Sequence, residues 1–95
     1  MFQVYILYSP GSGKSYVGYT NSIERRMEEH NFTSRKGFTL RYRPWVLVHT
    51  ETFNSRSEAM TRENFYKSGQ GREIVKKIVQ EGIEKMRHPP KAEMD

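Results

Sequence analysis

Two short apolar runs on either side of a Pro-, Gly- and Ser-rich turn constrain this chain more than any other feature. Phe2-Gln3-Val4-Tyr5-Ile6-Leu7-Tyr8 and Ser15-Tyr16-Val17-Gly18-Tyr19 are rich in β-branched and aromatic residues, and together they read as a β-hairpin. Alternation places Phe2, Val4, Ile6 and Tyr8 on one face and Gln3, Tyr5 and Leu7 on the other, so Tyr5 points away from the main apolar row. Tyr16 and Gly18 share a face, with Val17 opposite. The turn ends in Gly13-Lys14-Ser15, which matches the second half of a phosphate-binding loop. That motif needs a glycine where Tyr8 stands and a helix where a strand follows. Its glycines are therefore read as turn residues.

Two further segments have helix signatures with caps. Asn21-Ser22-Ile23-Glu24 has the form of a capping box with Asn21 as N-cap, predicting a helix from about Ser22 to His30 with Ile23, Met27 and His30 inward and Arg26 on nearly the same side. Ser55-Arg56-Ser57-Glu58 opens another helix to about Lys67, with the stripe Ala59, Met60, Glu63, Tyr66. A carboxylate thus falls in an apolar row. Between them Trp45 to Phe53 is a long strand beside the hairpin. A last helix from about Arg72 to Glu81 carries Ile74, Val75, Ile78 and Val79 and stops at Gly82. The expectation is an α/β (α+β) fold, a small three-stranded antiparallel sheet flanked by helices in the order β-β-α-β-α-α. Residues 1–82 form a single domain, and 83–95 a flexible charged tail containing Pro89-Pro90.

The 95 residues contain no cysteine, which rules out a disulfide framework and a thiolate zinc site. No leader or membrane-length apolar run is apparent, so a cytoplasmic protein is expected. Sixteen Lys and Arg against eleven Asp and Glu give a net charge of +5. The excess is concentrated in Asn31 to Trp45, which holds Arg35, Lys36, Arg41 and Arg43, no acid, and the interleaved aromatics Phe32, Phe38, Tyr42 and Trp45. Such a mixture suits phosphate contact with base stacking, or equally a solvated loop whose aromatics pack on the core.

Tyr5 and Tyr16 on neighbouring strands, Arg26 and His30 on one helix and Glu63 on a later one each have an ordinary structural reading: Arg26 can pair with Glu29, and Glu63 with Lys67. Together and in this order they resemble the GIY-YIG nuclease family, whose small stand-alone bacterial members look most similar. The first signature strand reads Gln3-Val4-Tyr5, with glycine and isoleucine replaced, and the second Tyr16-Val17-Gly18. The resemblance implies a magnesium- or manganese-dependent endonuclease that uses one ion to hydrolyse phosphodiester bonds in DNA, structure-selective in repair or recombination. It implies that Glu63 holds the metal, Arg26 binds the scissile phosphate, and Tyr5, Tyr16 and His30 orient or activate water. A phenol is a poor base at neutral pH, so Tyr5 in that role depends on neighbouring cations to lower its pKa. Lys14, Arg25, Lys67 and Arg72 are candidates for DNA contact alongside the basic segment, and His49 and His88 receive no role. A monomer is favoured, with a protein partner supplying specificity as an option. The rival reading is a non-catalytic nucleic-acid-binding module on the same fold.

Overall fold

The computed structural model describes residues 1–87. Strands β1 (Phe2–Ser9) and β2 (Lys14–Thr20) form the hairpin, and β3 (Val46–Phe53) pairs antiparallel with the other side of β1, giving the order β2-β1-β3. The central strand is β1, and Val4, Tyr5, Ile6 and Leu7 are at most 1% exposed. Its alternation therefore feeds two cores. On one face Val4, Ile6 and Val17 meet Ala59 and Tyr66 of α3 (Arg56–Lys67) and Val75 and Val79 of α4 (Gly69–Arg87). On the other, Tyr5, Leu7 and Trp45 meet Tyr16, Tyr42, and Ile23 and Met27 of α1 (Ile23–Glu28). The expected order of elements holds, with one short helix, α2 (Phe38–Arg41), added inside the basic segment.

Several local details differ from the sequence reading. The N-cap of α1 is Ser22, whose Oγ accepts from the Arg25 amide at 3.3 Å. Asn21 instead receives the Arg25 guanidinium at 3.2 Å. The deciding contact is Thr20, whose Oγ1 accepts from the Ser22 amide at 3.0 Å and fixes the chain one residue later than a capping box on Asn21 needs. The helix also stops being α-helical at Glu28 and widens into a π-helical turn, Glu29–Thr33. The capping box at Ser55 and Glu58 is present as expected. Met60 and Ile74 are 41% and 37% exposed and lie outside the stripes assigned to them.

Gly82 does not stop the last helix, which runs 19 residues from Gly69 to Arg87. A glycine inside a helix costs roughly 1 kcal/mol. Here it lets α4 lie against β3, since a methyl group at position 82 would stand 2.9 Å from Val48 Cγ1. Residues 83–87 of the expected tail are thus helical, and the remainder, with His88, lies outside the described residues. No helix among the described residues is long and apolar enough to cross a membrane.

Candidate active site

Tyr5 is the centre of the site because its strand neighbour has no side chain. Gly18 faces Tyr5 across the hairpin, and a Cβ there would lie 2.6 Å from the Tyr5 hydroxyl and 3.1 Å from Tyr16 Cε1. The phenol ring therefore lies over the backbone of the edge strand. Its oxygen is 2.9 Å from His30 Nε2. Tyr16 completes a triangle of rings, with its centroid 6.2 Å from Tyr5 and 5.0 Å from His30 in an edge-on arrangement.

The π-helical turn presents His30; Ser34 closes it, and Arg43 and Asn31 brace it. Ser34 donates to the Glu29 carbonyl at 2.9 Å, closing the wide turn. Arg43 then donates from Nε to the His30 carbonyl at 2.6 Å and from Nη2 to the carbonyls of Glu29 and Ser34 at 3.0 and 2.6 Å. Asn31 locks the turn to the start of β3, accepting from the Trp45 amide at 2.6 Å and donating to the Trp45 carbonyl at 3.1 Å. The sequence reading missed both braces. It placed Arg43 among the phosphate contacts, whereas these donors are committed to backbone.

Arg26 and Glu63 approach the same phenol. The Arg26 guanidinium stands beside Tyr5 and holds Glu29 Oε1 at 2.5 Å. Burial opposes its charge, but Tyr5 and Glu29 outweigh that and keep it firmly protonated. Glu63, from α3, is close enough to act electrostatically on Tyr5 and is half-buried, with Lys67 Nζ 3.1 Å from its Oε2. Both ion pairs expected as the ordinary reading, Arg26 with Glu29 and Glu63 with Lys67, are therefore formed. They coexist with the convergence on Tyr5.

Burial pushes the Tyr5 hydroxyl up to about 12, against the opposing pull of Arg26. The neighbouring cation does not lower it to a useful base. Burial also pushes the His30 imidazole down to about 4, helped by the positive charges of Arg26 and Arg43. Near neutral pH the phenol keeps its proton and the imidazole is neutral, so the hydrogen bond between them joins two uncharged groups.

His30 also makes stability depend on pH. Above the ordinary value of 6.5 it is neutral whether the chain is folded or not. Below it the unfolded chain takes up a proton that the folded chain refuses until about 4, so stability is lost as pH falls through that window. Urea midpoints at pH 7 and 5 should show the loss, and His30→Gln should flatten it. An equal loss in the variant would assign the effect to another group.

The donor set bears on a metal. Among the described residues no group of three or more His, Cys, Asp or Glu is placed to hold an ion. Glu63 offers a single hard carboxylate, which fits magnesium or manganese only if phosphate oxygens and water supply the remaining positions.

The other expected contacts are dispersed. Lys14 and Arg41 both lie over the Tyr42 ring, at 5.5 and 5.7 Å. Arg25 is exposed and joined to Glu29 at 3.7 Å. Arg35, Lys36 and Arg72 are exposed. Of the aromatics, Trp45 is buried with its Nε1 donating to the Thr39 carbonyl at 2.8 Å, while Phe32 is 77% exposed. A second polar cluster lies on the opposite face of the sheet. Glu51 accepts from Arg62 at 2.8 Å and from the Tyr66 hydroxyl, with His49 Nε2 2.7 Å away. Burial works against its charge, yet these hydrogen bonds hold the carboxyl below its ordinary range. His49 thus has a structural partner.

Comparison with known proteins points the same way as this geometry. Residues 1–77 match the model described as the GIY-YIG catalytic domain, which suggests a nuclease fold. A UPF0213 protein of Halobacterium salinarum is 43% identical over 63 residues, 66% of this chain and 80% of that one. One from Natronomonas pharaonis is 45% identical over 65 residues, covering 68% and 75%. The solution NMR structure of a UPF0213 protein from Bacillus halodurans is 31% identical and superimposes with a TM-score of 0.51, covering 90% of this chain and 97% of that one.

Proposed function

The chain belongs to the GIY-YIG catalytic-domain family, among the UPF0213 proteins of bacteria and archaea, and on that premise we propose that it is a metal-dependent endonuclease hydrolysing phosphodiester bonds in DNA. The observation that carries this reading is the convergence of Arg26, His30 and Glu63, from three different segments, on one buried phenol. Phosphodiester cleavage builds negative charge on the phosphate and the leaving oxygen. Arg26 binds the phosphate with the guanidinium nitrogens that Glu29 does not hold. Glu63 would hold one magnesium or manganese ion, which would supply Lewis-acid stabilisation of that charge.

The proton route follows from the Tyr5–His30 hydrogen bond. A phenol raised to about 12 is not a base at neutral pH in its own right. It passes its proton to His30 Nε2 as it accepts one from the attacking water. Phosphate arriving beside Arg26 offsets part of the positive field that holds the imidazole down, so substrate makes His30 a better acceptor. Tyr16 packs the imidazole edge-on and keeps the acceptor nitrogen aimed at the phenol.

The Glu63–Lys67 pair favours the alternative, a non-catalytic nucleic-acid-binding module, because the carboxylate already has a partner. Lys67 is 53% exposed in that pair, and pairs of this kind are typically worth about 0–1 kcal/mol. So weak a pair would leave Glu63 free to hold a divalent ion. The deciding experiment is incubation of the purified protein with nicked, flapped, branched and linear DNA in magnesium, manganese or chelator. Cleavage that requires the metal supports the enzyme; binding with no cleavage of any substrate supports the module.

Docking is assigned to the exposed part of the basic segment. If Arg35, Lys36 and Arg41 touch phosphate, replacing each with glutamine should reduce the slope of log affinity against log salt by about 0.9 for duplex DNA. Turnover at saturating DNA should stay nearly intact, since uniform binding affects capture more than the chemical step. An unchanged slope in the triple variant would move the docking surface elsewhere. Arg43→Gln should behave differently, lowering thermal stability by unbracing the π-helical turn.

A further inference from the structure

Beside the catalytic cluster lies a groove of about 470 Å³ lined by residues of β2, α2, α3 and α4. Tyr16 belongs to both the groove and the cluster. Lys67, Arg72 and Lys76 supply three cations, and no acidic side chain lines the groove. Arg72 and Lys76 are four residues apart on α4 and share a helix face. Lys76 makes only a loose 3.5 Å pair with Glu73, with both side chains at least 70% exposed, and such a pair gives way to phosphate.

Phe38 also lines the groove. Its ring is packed by Tyr42 at 4.9 Å, Trp45 at 5.9 Å and Tyr16 at 6.3 Å between centroids, yet Phe38 remains 47% exposed. A phenyl ring anchored by three aromatic neighbours and still open to water is a stacking platform fixed in place. Lys67, which lines the groove, joins it to the candidate site through its contact with Glu63.

Resting on the nuclease reading above, we propose that this groove binds a single-stranded segment of nucleic acid next to the scissile phosphate, with an unpaired base stacked on Phe38 and phosphates along Arg72 and Lys76. The chemistry favours a single strand over a duplex. In a duplex each base face is covered by its neighbour, so a duplex offers the groove only phosphates and leaves the Phe38 face unused. An unpaired strand offers both groups the groove is built to meet. The substrate class that follows is a strand with unpaired nucleotides at the cut, such as a flap or a single-stranded end.

The test is fluorescence anisotropy in chelator, where no metal-dependent cutting occurs. The probes are a labelled single strand of about 12 nucleotides, within the ~4–16 that a small single-strand-binding fold covers, the same strand with abasic positions, and the corresponding duplex. Phe38→Ala should lower affinity for the single strand by about 5-fold or more, the equivalent of one lost base–aromatic stack. Duplex affinity should be unchanged. Phe38→Leu, which keeps apolar volume against Trp45 and Tyr42, should show the same loss with an unaltered circular dichroism spectrum. Arg72→Gln with Lys76→Gln should reduce the salt slope for the single strand by roughly 1.4. Wild-type affinity in Phe38→Leu, or equal binding of the abasic strand, would overturn the proposal. If those results come from a protein that still cuts DNA with metal, the groove is wrong and the nuclease reading stands. Loss of single-strand binding in the Phe38 variants of a protein that cuts nothing supports the groove and overturns only the nuclease reading.

Discussion

Replacing Glu63 with glutamine is expected to abolish metal-dependent cleavage while leaving the fold and DNA binding in place. The substitution keeps the shape of the side chain and removes the carboxylate to which the hard cation is assigned. Stability should not fall and can rise, because a half-buried carboxylate carries a desolvation cost that the amide avoids. Lys67 loses its partner in the variant and becomes available to DNA phosphate, so affinity measured in chelator should be equal to or above that of the wild type. Calorimetric titration with manganese in the presence of uncleavable DNA gives an independent readout, which should lose its metal signal. Near-normal cleavage by Glu63→Gln would refute the metal assignment.

Arg26→Lys is expected to lower turnover by ~10²-fold or more, with little change in thermal midpoint. Lysine keeps the charge but not the planar fork. In the wild type one nitrogen, Nη1, is tied to Glu29 Oε1 at 2.5 Å, and the rest of the guanidinium faces the phenol. A single ammonium cannot bridge Glu29 and a phosphate with the same geometry, so it must give up one of them. The loss should appear in single-turnover rates and persist at saturating DNA. A lysine variant with wild-type turnover would reduce Arg26 to a general positive field or to the partner of Glu29.

The strands and the face of each candidate site side chain were legible because strand alternation leaves little freedom. Tyr5 follows from Val4 and Ile6 being core, and Arg26 and His30 follow from Ile23 and Met27 facing inward. Glu63 was visible as a carboxylate in an apolar stripe. What could not be read depends on contacts between distant segments. Asn21 and Ser22 are both good caps, and the choice between them is made by Thr20 at the end of β2. The π-helical turn is held from outside by Arg43 and by the Trp45 backbone that Asn31 binds, both more than ten residues along the chain, and has no local signature. Gly82 has the form of a helix stop, but its role is set by Val48 on another element. The role of Gly18 was also hidden, since that glycine matters through the ring laid over it rather than through its own backbone. The pKa values of Tyr5 and His30 belong to the same class: the cation beside the phenol was foreseen, but the extent of burial that overrides it was not.

The joint between α3 and α4 has a consequence for the proposed groove. Only Ser68 separates the two helices, and at Gly71 even a methyl group would collide with the Phe65 carbonyl oxygen at 1.8 Å. The carboxylate at position 63 and the cations at 72 and 76 are therefore carried by one closely packed corner. If a strand is gripped along α4 as proposed, this corner would measure it against Glu63 as if by a fixed gauge. On that proposal the number of nucleotides between the gripped base and the broken bond would be set by the protein, and would be the same on every strand that enters.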